Sequence, residues 1–289
     1  MIMPSHFYQR YKSNINHFID EALKEDIGRG DYSSQSCIPI EASNKAKVIV
    51  KEEGILAGIE LCKILFERYD PNLIFHSLSE EGTQAKKGTT VFTIEGNTQS
   101  ILATERLVLN TMQRMSGIAT LTNRLSQKIK HTNCQLLDTR KTTPNFRYPE
   151  KWAVLIGGGT NHRMGLFDAL MIKDNHVDFC GGMTKALQKT EHFLNSQAQE
   201  LEVVVEARNL VEISAILKFN WVNRILLDNF SAKELQHAIA FIDNKIPTEA
   251  SGNITENNLE EMAETGVNFI SIGALTYAAK PIDLSLKAI

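Results

Sequence analysis

The sequence predicts an α/β protein in two parts, a small mixed α/β region followed by an open, incomplete barrel of parallel strands. The main observation is that short apolar runs alternate with amphipathic segments after Cys134, because repeated βα units build a parallel sheet. Strand patterns earlier in the chain are too short and mixed for such units. A closed barrel of eight units needs roughly 250 residues, so we expect six or seven strands here.

The first part is predicted to begin with a helix and to continue with strands. Apolar residues at helical spacing predict a helix over 14–24, and the glycines between Glu25 and Asp31 end it. Alternation and apolar spacing predict strands at 45–53, 73–78 and 90–94 and a helix at 59–69.

The longest helical pattern covers 100–129. One face is apolar, and Arg106, Asn110 and Gln113 recur at the same spacing on another face. A lone arginine of this kind is usually a surface residue. This polar face leads into a cation-rich region, however, so Arg106 could instead line a cleft.

The barrel pattern and the division of the chain follow from the remaining segments. Strands are predicted at 135–138, 169–173, 202–206, 224–227, 246–249 and 268–272, and helices at 185–194, 210–217, 232–242 and 256–264. The chain then divides into a first domain, 1–114, a barrel domain, 115–276, and a tail, 277–289, which could return to the first domain as a strand.

Composition limits the class of protein. With 43% hydrophobic and 22% charged residues and a formal charge of −3, the chain resembles soluble globular proteins and has no overall basic field for nucleic acid or membranes. The cysteines form no metal-binding or redox pair, and no signal sequence or membrane span is evident. We therefore expect reduced cysteines and a cytoplasmic location.

Cations follow the ends of the first two predicted barrel strands. Arg140 and Lys141 follow one strand, Lys173 ends the next, and His162 and Arg163 lie between them. Because the carboxyl ends of parallel strands meet at one edge, this pattern predicts an anion pocket. Arginine matches carboxylates bidentately and lysine is a point charge, so the set suits a ligand with more than one carboxylate.

Carboxylates and glycines follow the later strands. Glu206 and Asp228 lie in apolar surroundings, where Mg²⁺ shared with a substrate phosphate, or salt bridges to the cations, would offset the cost of burial. Small residues at the last two strand ends could let backbone N–H groups approach a phosphate, although ordinary turns also use glycine. These residues are Ser251, Gly252, Asn253, Gly273 and Ala274. The glycine-rich segment 157–160 lacks the lysine of a nucleotide-binding P-loop. We interpret it as a turn that presents His162 and Arg163.

Several motifs together resemble one known family. They are DTRKTTPNFR, EKWAVLIGGGTNHRMGLFDALMIKDNH, ERLVLNTMQRMSGIAT, RILLDN, EASGNI and ISIGALT. They are similar to quinolinate phosphoribosyltransferase, also called nicotinate-nucleotide pyrophosphorylase (carboxylating), over nearly the whole chain. The resemblance implies an N-terminal α/β sandwich domain, an open seven-stranded α/β barrel, and a homodimer in which each active site borrows residues from its partner.

The resemblance also implies a reaction and residue roles. The family transfers the phosphoribosyl group of 5-phosphoribosyl 1-diphosphate (PRPP) to quinolinate, with Mg²⁺, releasing pyrophosphate and CO2 and giving nicotinate mononucleotide. Quinolinate would be held by Arg140, Lys141, His162, Arg163 and Lys173, with Arg106 from the neighbouring subunit. Glu206 and Asp228 would face the ribose and the Mg²⁺ of PRPP, directly or through PRPP itself. The 5′-phosphate would lie at Ser251, Gly252, Asn253, Gly273 and Ala274. The residues expected to act in the chemistry are Lys141, Lys173, Glu206 and Asp228.

Two positions depart from the family pattern, and three other functions remain open. Val204 stands where the family commonly has Glu, and Tyr277 where it usually has His. The nearest alternative is a related pyrophosphorylase for another base, of the molybdate-transport-associated type. Lys173 could also form a Schiff base. A lipoyl-like carrier is a weaker alternative, suggested by 45–54 and 86–96, which lack the usual modified lysine motif.

Overall fold

The computed structural model describes residues 3–196 and 200–289. Two compact units divide the chain without following its order. The first unit contains the chain up to Asn123 together with 141–159 and 274–289, and the second contains 124–140 and 160–273.

The elements have the following bounds. The helices are α1 (Phe7–Ile27), α2 (Tyr32–Cys37), α3 (Ile59–Tyr69), α4 (Thr98–Ile129), α5 (Arg147–Ile156), α6 (Asp174–Cys180), α7 (Met183–Ser196), α8 (Leu210–Ile216), α9 (Ala232–Ile242), α10 (Leu259–Glu264) and α11 (Ala274–Tyr277). The strands are β1 (Ser43–Val50), β2 (Gly54–Ile55), β3 (Ile74–Ser77), β4 (Gln84–Ala85), β5 (Thr90–Asn97), β6 (Gln135–Leu137), β7 (Ala169–Ile172), β8 (Glu202–Ala207), β9 (Arg224–Asp228), β10 (Thr248–Ser251), β11 (Phe269–Ser271) and β12 (Leu284–Ala288). A 3-10 turn, Pro4–His6, precedes α1.

The first unit is built on an antiparallel sheet with the strand order β12-β1-β5-β3. Alternate residues of β1, namely Ala46, Val48 and Val50, are buried, which gives this strand one apolar face. Phe66 of α3 packs against Phe75 and Phe92 of the sheet, with ring centroids 6.2 and 6.1 Å away. The mixed α/β character predicted for this region is confirmed.

The second unit is built on a parallel sheet with the order β6-β11-β10-β9-β8-β7. Its two edge strands, β6 and β7, are consecutive in the chain, which is the arrangement of a barrel left open between them. Thr160 adds a parallel bridge to Leu137 at the β6 edge. The predicted open barrel of six or seven strands is therefore confirmed, and the carboxyl ends of its strands share one edge.

Two predicted boundaries differ from the observed ones for physical reasons. α1 begins at Phe7, earlier than predicted, because buried Phe7 stacks on Trp152 of α5 at 5.4 Å, a contact that the polar sequence of this segment does not reveal. β10 begins at Thr248, after Pro247, which has no N–H to contribute to the sheet. The domain boundary predicted between 114 and 115 lies inside the unbroken helix α4 and stays a prediction.

Two further expectations concern thiols and membranes. All four cysteines are free, in agreement with the sequence pattern. Among the described residues, no helix combines the length and the apolar character that crossing a membrane requires.

Candidate active site

The loop that carries His162 and Arg163 is fastened to the end of β6. Asp138 is fully buried there and accepts hydrogen bonds from the backbone N–H of His162 at 2.8 Å and from Nδ2 of Asn161 at 2.6 Å. Thr160 is bonded through its backbone to Leu136 and Asp138. The first residue of the DTRK motif thus positions the cation-bearing loop at the carboxyl edge of the sheet.

Arg163 of the second unit is partly buried and is influenced by the charge of Arg140. Burial lowers the pKa of Arg163, and the charge of Arg140 lowers it further, while Asp168 opposes the shift. Arg163 Nη1 donates to the carbonyl oxygen of Ala169 at 3.2 Å, which anchors one side of its guanidinium. Two neighbouring cations are stabilised by an anion placed between them, and a planar carboxylate suits arginine best.

An acidic cluster lies beside Lys173. Nζ of Lys173 is 4.0 Å from Oε2 of Glu206, which is only 6% exposed, and the backbone N–H of Asp174 donates to Oε1 at 3.3 Å. Burial raises the pKa of Glu206; the Asp174 N–H and Lys173 oppose this, while the charges of Asp228 and Asp174 add to it. The predicted pair of carboxylates is therefore accompanied by Asp174, which sequence analysis missed although it directly follows Lys173 in the KDN motif.

The loops after β9 and β10 are held together by two asparagines. Nδ2 of Asn229 donates to Asp228 at 2.6 Å, and Nδ2 of Asn253 donates to Oδ1 of Asn229 at 3.0 Å. Gly252 has φ +88°, and a Cβ there would collide with the side chain and the backbone nitrogen of Asn229. Gly252 is therefore required for more than a turn, because it lets the two strand ends approach each other.

His162 differs from the arginines, because its ring faces protein groups. Nδ1 accepts a hydrogen bond from the backbone N–H of Arg163 at 2.7 Å, and Nε2 lies 3.4 Å from Oε2 of Glu249. Glu249 is fully buried and also bonds Nη1 of Arg224 at 3.0 Å. Sequence analysis missed Glu249 and Arg224, which lie inside strands and not at their carboxyl ends.

Three of the predicted residues, Arg106, Lys141 and Ala274, belong to the first unit. Arg106 is exposed on α4, and Lys141 is exposed in the loop before α5. The carbonyl oxygen of Lys141 accepts a hydrogen bond from Oγ1 of Thr276 in α11, the helix that begins at Ala274, at 2.8 Å. The Lys141 loop and α11 are thereby connected.

A buried ion pair supports this connection within the first unit. Glu150 is fully buried and bonds Nε and Nη2 of Arg114 at 3.0 and 2.8 Å. It also accepts from the backbone N–H and the hydroxyl of Thr143. Arg114 in turn donates to the carbonyl oxygens of Thr276 and Ala279. One arginine therefore fastens both the loop after Lys141 and the end of α11.

The two positions that depart from the family pattern lie in different environments. Val204 is buried in β8, and Tyr277 is exposed at the end of α11. Among the residues that the structure describes, the one cluster of three possible metal ligands is exposed and consists of His131, Glu260 and Glu264.

Comparisons with known proteins agree on one family. The model of the quinolinate phosphoribosyl transferase N-terminal domain matches residues 31–116, and that of the C-terminal domain matches residues 118–287. The chain is 43% identical to a chloroplastic nicotinate-nucleotide pyrophosphorylase (carboxylating) of Oryza sativa subsp. japonica, over 93% of this chain and 76% of the relative. It is 41% identical to a quinolinate phosphoribosyltransferase (decarboxylating) of Nicotiana tabacum, over 93% and 81%.

A solved structure adds agreement in three dimensions. The nicotinate-nucleotide pyrophosphorylase of Francisella tularensis superposes with a TM-score of 0.87 at 38% identity, covering 96% of both chains.

Proposed function

The chain belongs to the quinolinate phosphoribosyltransferase family, and from this premise we infer its reaction. It transfers the phosphoribosyl group of PRPP to the ring nitrogen of quinolinate, with loss of pyrophosphate and CO2, and so makes nicotinate mononucleotide for NAD synthesis. The observation that carries this conclusion at the site is the partly buried guanidinium of Arg163, which is anchored at the carbonyl oxygen of Ala169 and lies within the electrostatic influence of Arg140, so that an anionic substrate is stabilised there.

Quinolinate carries two carboxylates on adjacent ring carbons. We assign them to Arg140 and Arg163, which interact electrostatically, with Lys173 as a point charge at the next strand end. Support for Lys141 and Arg106 as further ligands comes from their motifs alone. Rigid arginine forks hold a planar dicarboxylate in one orientation, which directs its ring nitrogen towards the ribose.

Transfer begins when the ring nitrogen of quinolinate attacks C1 of the ribose and the bond from C1 to pyrophosphate breaks. Positive charge develops at C1, and the carboxylates of Glu206 and Asp228 would stabilise it. A Mg²⁺ bound with PRPP would supply neutralisation of the departing pyrophosphate. Glu206 fits this role because burial, and after it the negative charges of Asp228 and Asp174, raise its pKa, so that its ionised form would be stabilised by a nearby cation.

Decarboxylation follows from the charge on the product ring. Once the ring nitrogen carries the ribose, it is a pyridinium that accepts the electron pair of the adjacent carbon–carboxylate bond. CO2 leaves, and a proton takes its place on the carbon. The arginine that held this carboxylate must release a neutral product, whereas the second carboxylate stays bound to its own cation.

A steady-state assay with PRPP, Mg²⁺ and quinolinate tests the function. We expect nicotinate mononucleotide from quinolinate and none from nicotinate, because nicotinate has only one of the two carboxylates. Product from nicotinate alone would contradict the inference and would favour a related pyrophosphorylase for another base. Omission of Mg²⁺ with a chelator should abolish product formation if the metal role is correct.

Assembly and location are part of the same proposal. A homodimer with shared active sites is supported by Arg106, which is exposed and has no ion-pair partner among the described residues. The free cysteines support a reducing compartment such as the cytoplasm. Light scattering would measure the dimer mass, and cell fractionation would report the compartment.

A further inference from the structure

Both ring nitrogens of His162 are directed at protein groups within the second unit. Nδ1 accepts the N–H of Arg163 at 2.7 Å, so Nδ1 carries no proton. The neutral ring must then carry its proton on Nε2, which lies 3.4 Å from the Glu249 carboxylate. The side chain of His162 is only 8% exposed. This geometry places both ring nitrogens close to protein groups.

Glu249 is held in place and kept ionised by its surroundings. It lies fully buried on β10 and bonds Nη1 of Arg224 at 3.0 Å, while Nη2 of Arg224 bonds the partly exposed Glu202 at 2.6 Å. Burial alone would raise the pKa of Glu249, but the neighbouring imidazole of His162, the charge of Arg224 and a hydrogen bond from Ser271 outweigh burial and lower it. A fixed negative charge therefore faces Nε2 of His162.

The backbone of His162 is fixed as firmly as its ring. Its N–H donates to buried Asp138 at 2.8 Å, on the neighbouring strand end. The ring is thus restrained on one side by Glu249 and on the other by the peptide of Arg163. A restraint at that peptide determines the direction in which the Arg163 side chain leaves the loop.

We propose that Glu249 is a positioning residue of the active site, which orients the imidazole of His162 and, through it, the loop that presents Arg163 to the substrate carboxylate. His162 then transmits this restraint to Arg163. The identity of the carboxylate ligand as quinolinate rests on the proposed function, whereas the restraint on the ring does not.

The test compares Glu249→Gln with Glu202→Gln, which removes a carboxylate from the same arginine but leaves the His162 contact intact. Nuclear magnetic resonance of the ¹⁵N-labelled full-length protein, with His162→Asn used for assignment, should show a protonated Nε2 and an unprotonated Nδ1. In Glu249→Gln the Nε2 proton should move upfield and exchange faster with water, because it loses its charged acceptor. Glu202→Gln should leave this signal unchanged.

Kinetics provide the second measurement. Glu249→Gln should raise the KM for quinolinate on the order of tenfold, the scale of a lost second-layer partner, and leave the KM for PRPP unchanged. In a His162→Asn background, Glu249→Gln should add little, because its effect passes through the ring. Equal effects on both substrates, full additivity, or an unchanged Nε2 proton would each overturn the proposal.

The experiments distinguish failure of the proposed function from failure of the positioning role of Glu249. If the unsubstituted protein makes no nicotinate mononucleotide, the proposed function fails, while the spectrum still decides whether Glu249 restrains the ring. If Glu249→Gln does not fold, Glu249→Gln combined with Arg224→Met replaces the buried ion pair by neutral groups of similar size. The same spectral and kinetic differences are then expected of the double variant.

Discussion

Arg163 combines partial burial with a neighbouring cation, a combination that is unfavourable until an anion binds. Burial and Arg140 both lower its pKa, and Asp168 compensates only in part. Its guanidinium is anchored at the carbonyl oxygen of Ala169, so it is already oriented before substrate arrives. Binding energy gained here is specific for the dicarboxylate, because PRPP is recognised at the later strand ends in the proposed site.

Replacing Arg163 tests this separation. Arg163→Ala should raise the KM for quinolinate by about 30- to 150-fold, since a charge-assisted contact contributes about 2–3 kcal/mol, and should change the KM for PRPP little. Steady-state kinetics with each substrate varied in turn provide the measurement. Arg124→Ala, which removes an exposed arginine paired with Glu256, is the control. Equal increases in the KM of both substrates would mean that Arg163 does not belong to the quinolinate subsite.

A comparison of Gly252 with Gly266 distinguishes the cost of backbone strain from an effect on PRPP binding. Both have positive φ, +88° and +90°, but an added Cβ meets Asn229 at Gly252 and nothing within 4 Å at Gly266. Alanine should therefore destabilise the protein by about 1 kcal/mol or more at either position. Only Gly252→Ala should also raise the KM for PRPP, because it displaces the asparagine that contacts Asp228. An unchanged KM would remove this loop from the proposed phosphate site.

At the residue scale, sequence could predict which residues follow strand ends but not which side chains meet inside the barrel. Arg140, Lys173, Glu206 and Asp228 all lie at or beside the carboxyl edge, because the strand pattern itself places them there. Glu249 escaped prediction because it and its neighbours on β10 are all buried. The strand therefore lacks the alternation of apolar and polar residues that would show which side chains point into the barrel. Asp174 and Asn229 follow residues already singled out, and only the three-dimensional contacts reveal their roles.

At the scale of elements, the start of α3 depends on a carboxylate distant in sequence. Glu81 accepts hydrogen bonds from the backbone N–H groups of Gly58 and Glu60, which occupy the unsatisfied first turn of that helix. Burial raises the pKa of Glu81 to about 7, although those N–H groups oppose the shift. The native state therefore binds a proton at Glu81 more tightly than the unfolded chain does.

The sign of the resulting pH dependence follows directly. Because the folded pKa is raised, the stabilisation is fully present below the unfolded pKa and is lost as pH rises towards about 7. The loss amounts to about 3 kcal/mol between pH 4.5 and 7. Urea unfolding at pH 5 and pH 8 should show this decrease in the unsubstituted protein and a smaller one in Glu81→Gln. Glu67→Gln, an exposed change on the same helix, should behave like the unsubstituted protein; equal pH slopes in all three would contradict the raised pKa.

Helices were predicted most closely where an amphipathic pattern is strong and both ends are marked. α3 and α9 have the predicted bounds, and α9 carries a capping box between Ser231 and Glu234. α5, which is absent from the helices predicted above, is buried nearly all round, including its charged residues Glu150 and Lys151. The two-residue strands β2 and β4 are too short to leave any sequence pattern.

At the scale of the whole molecule, the exposed position of Arg106 is informative. A surface arginine on a long helix is common, yet this one has no ion-pair partner among the described residues. An unpaired arginine at the surface of one subunit is free to contribute charge to the active site of another. A twofold dimer would make that contribution reciprocal, because each subunit presents the same surface to its partner.

Mixing inactive variants tests this sharing in solution. Arg106→Ala and Lys173→Met should each lose most activity, but a mixed dimer of the two contains one site with both residues intact. Random exchange of subunits should therefore restore about a quarter of the unsubstituted activity, since half of the dimers are mixed and each has one intact site. Lys173→Met mixed with Glu206→Gln is the matched control: both changes affect the same barrel, so every site in a mixed dimer keeps one defect. Restoration in both mixtures, or in neither after subunit exchange has been verified, would mean that Arg106 does not reach a partner's site.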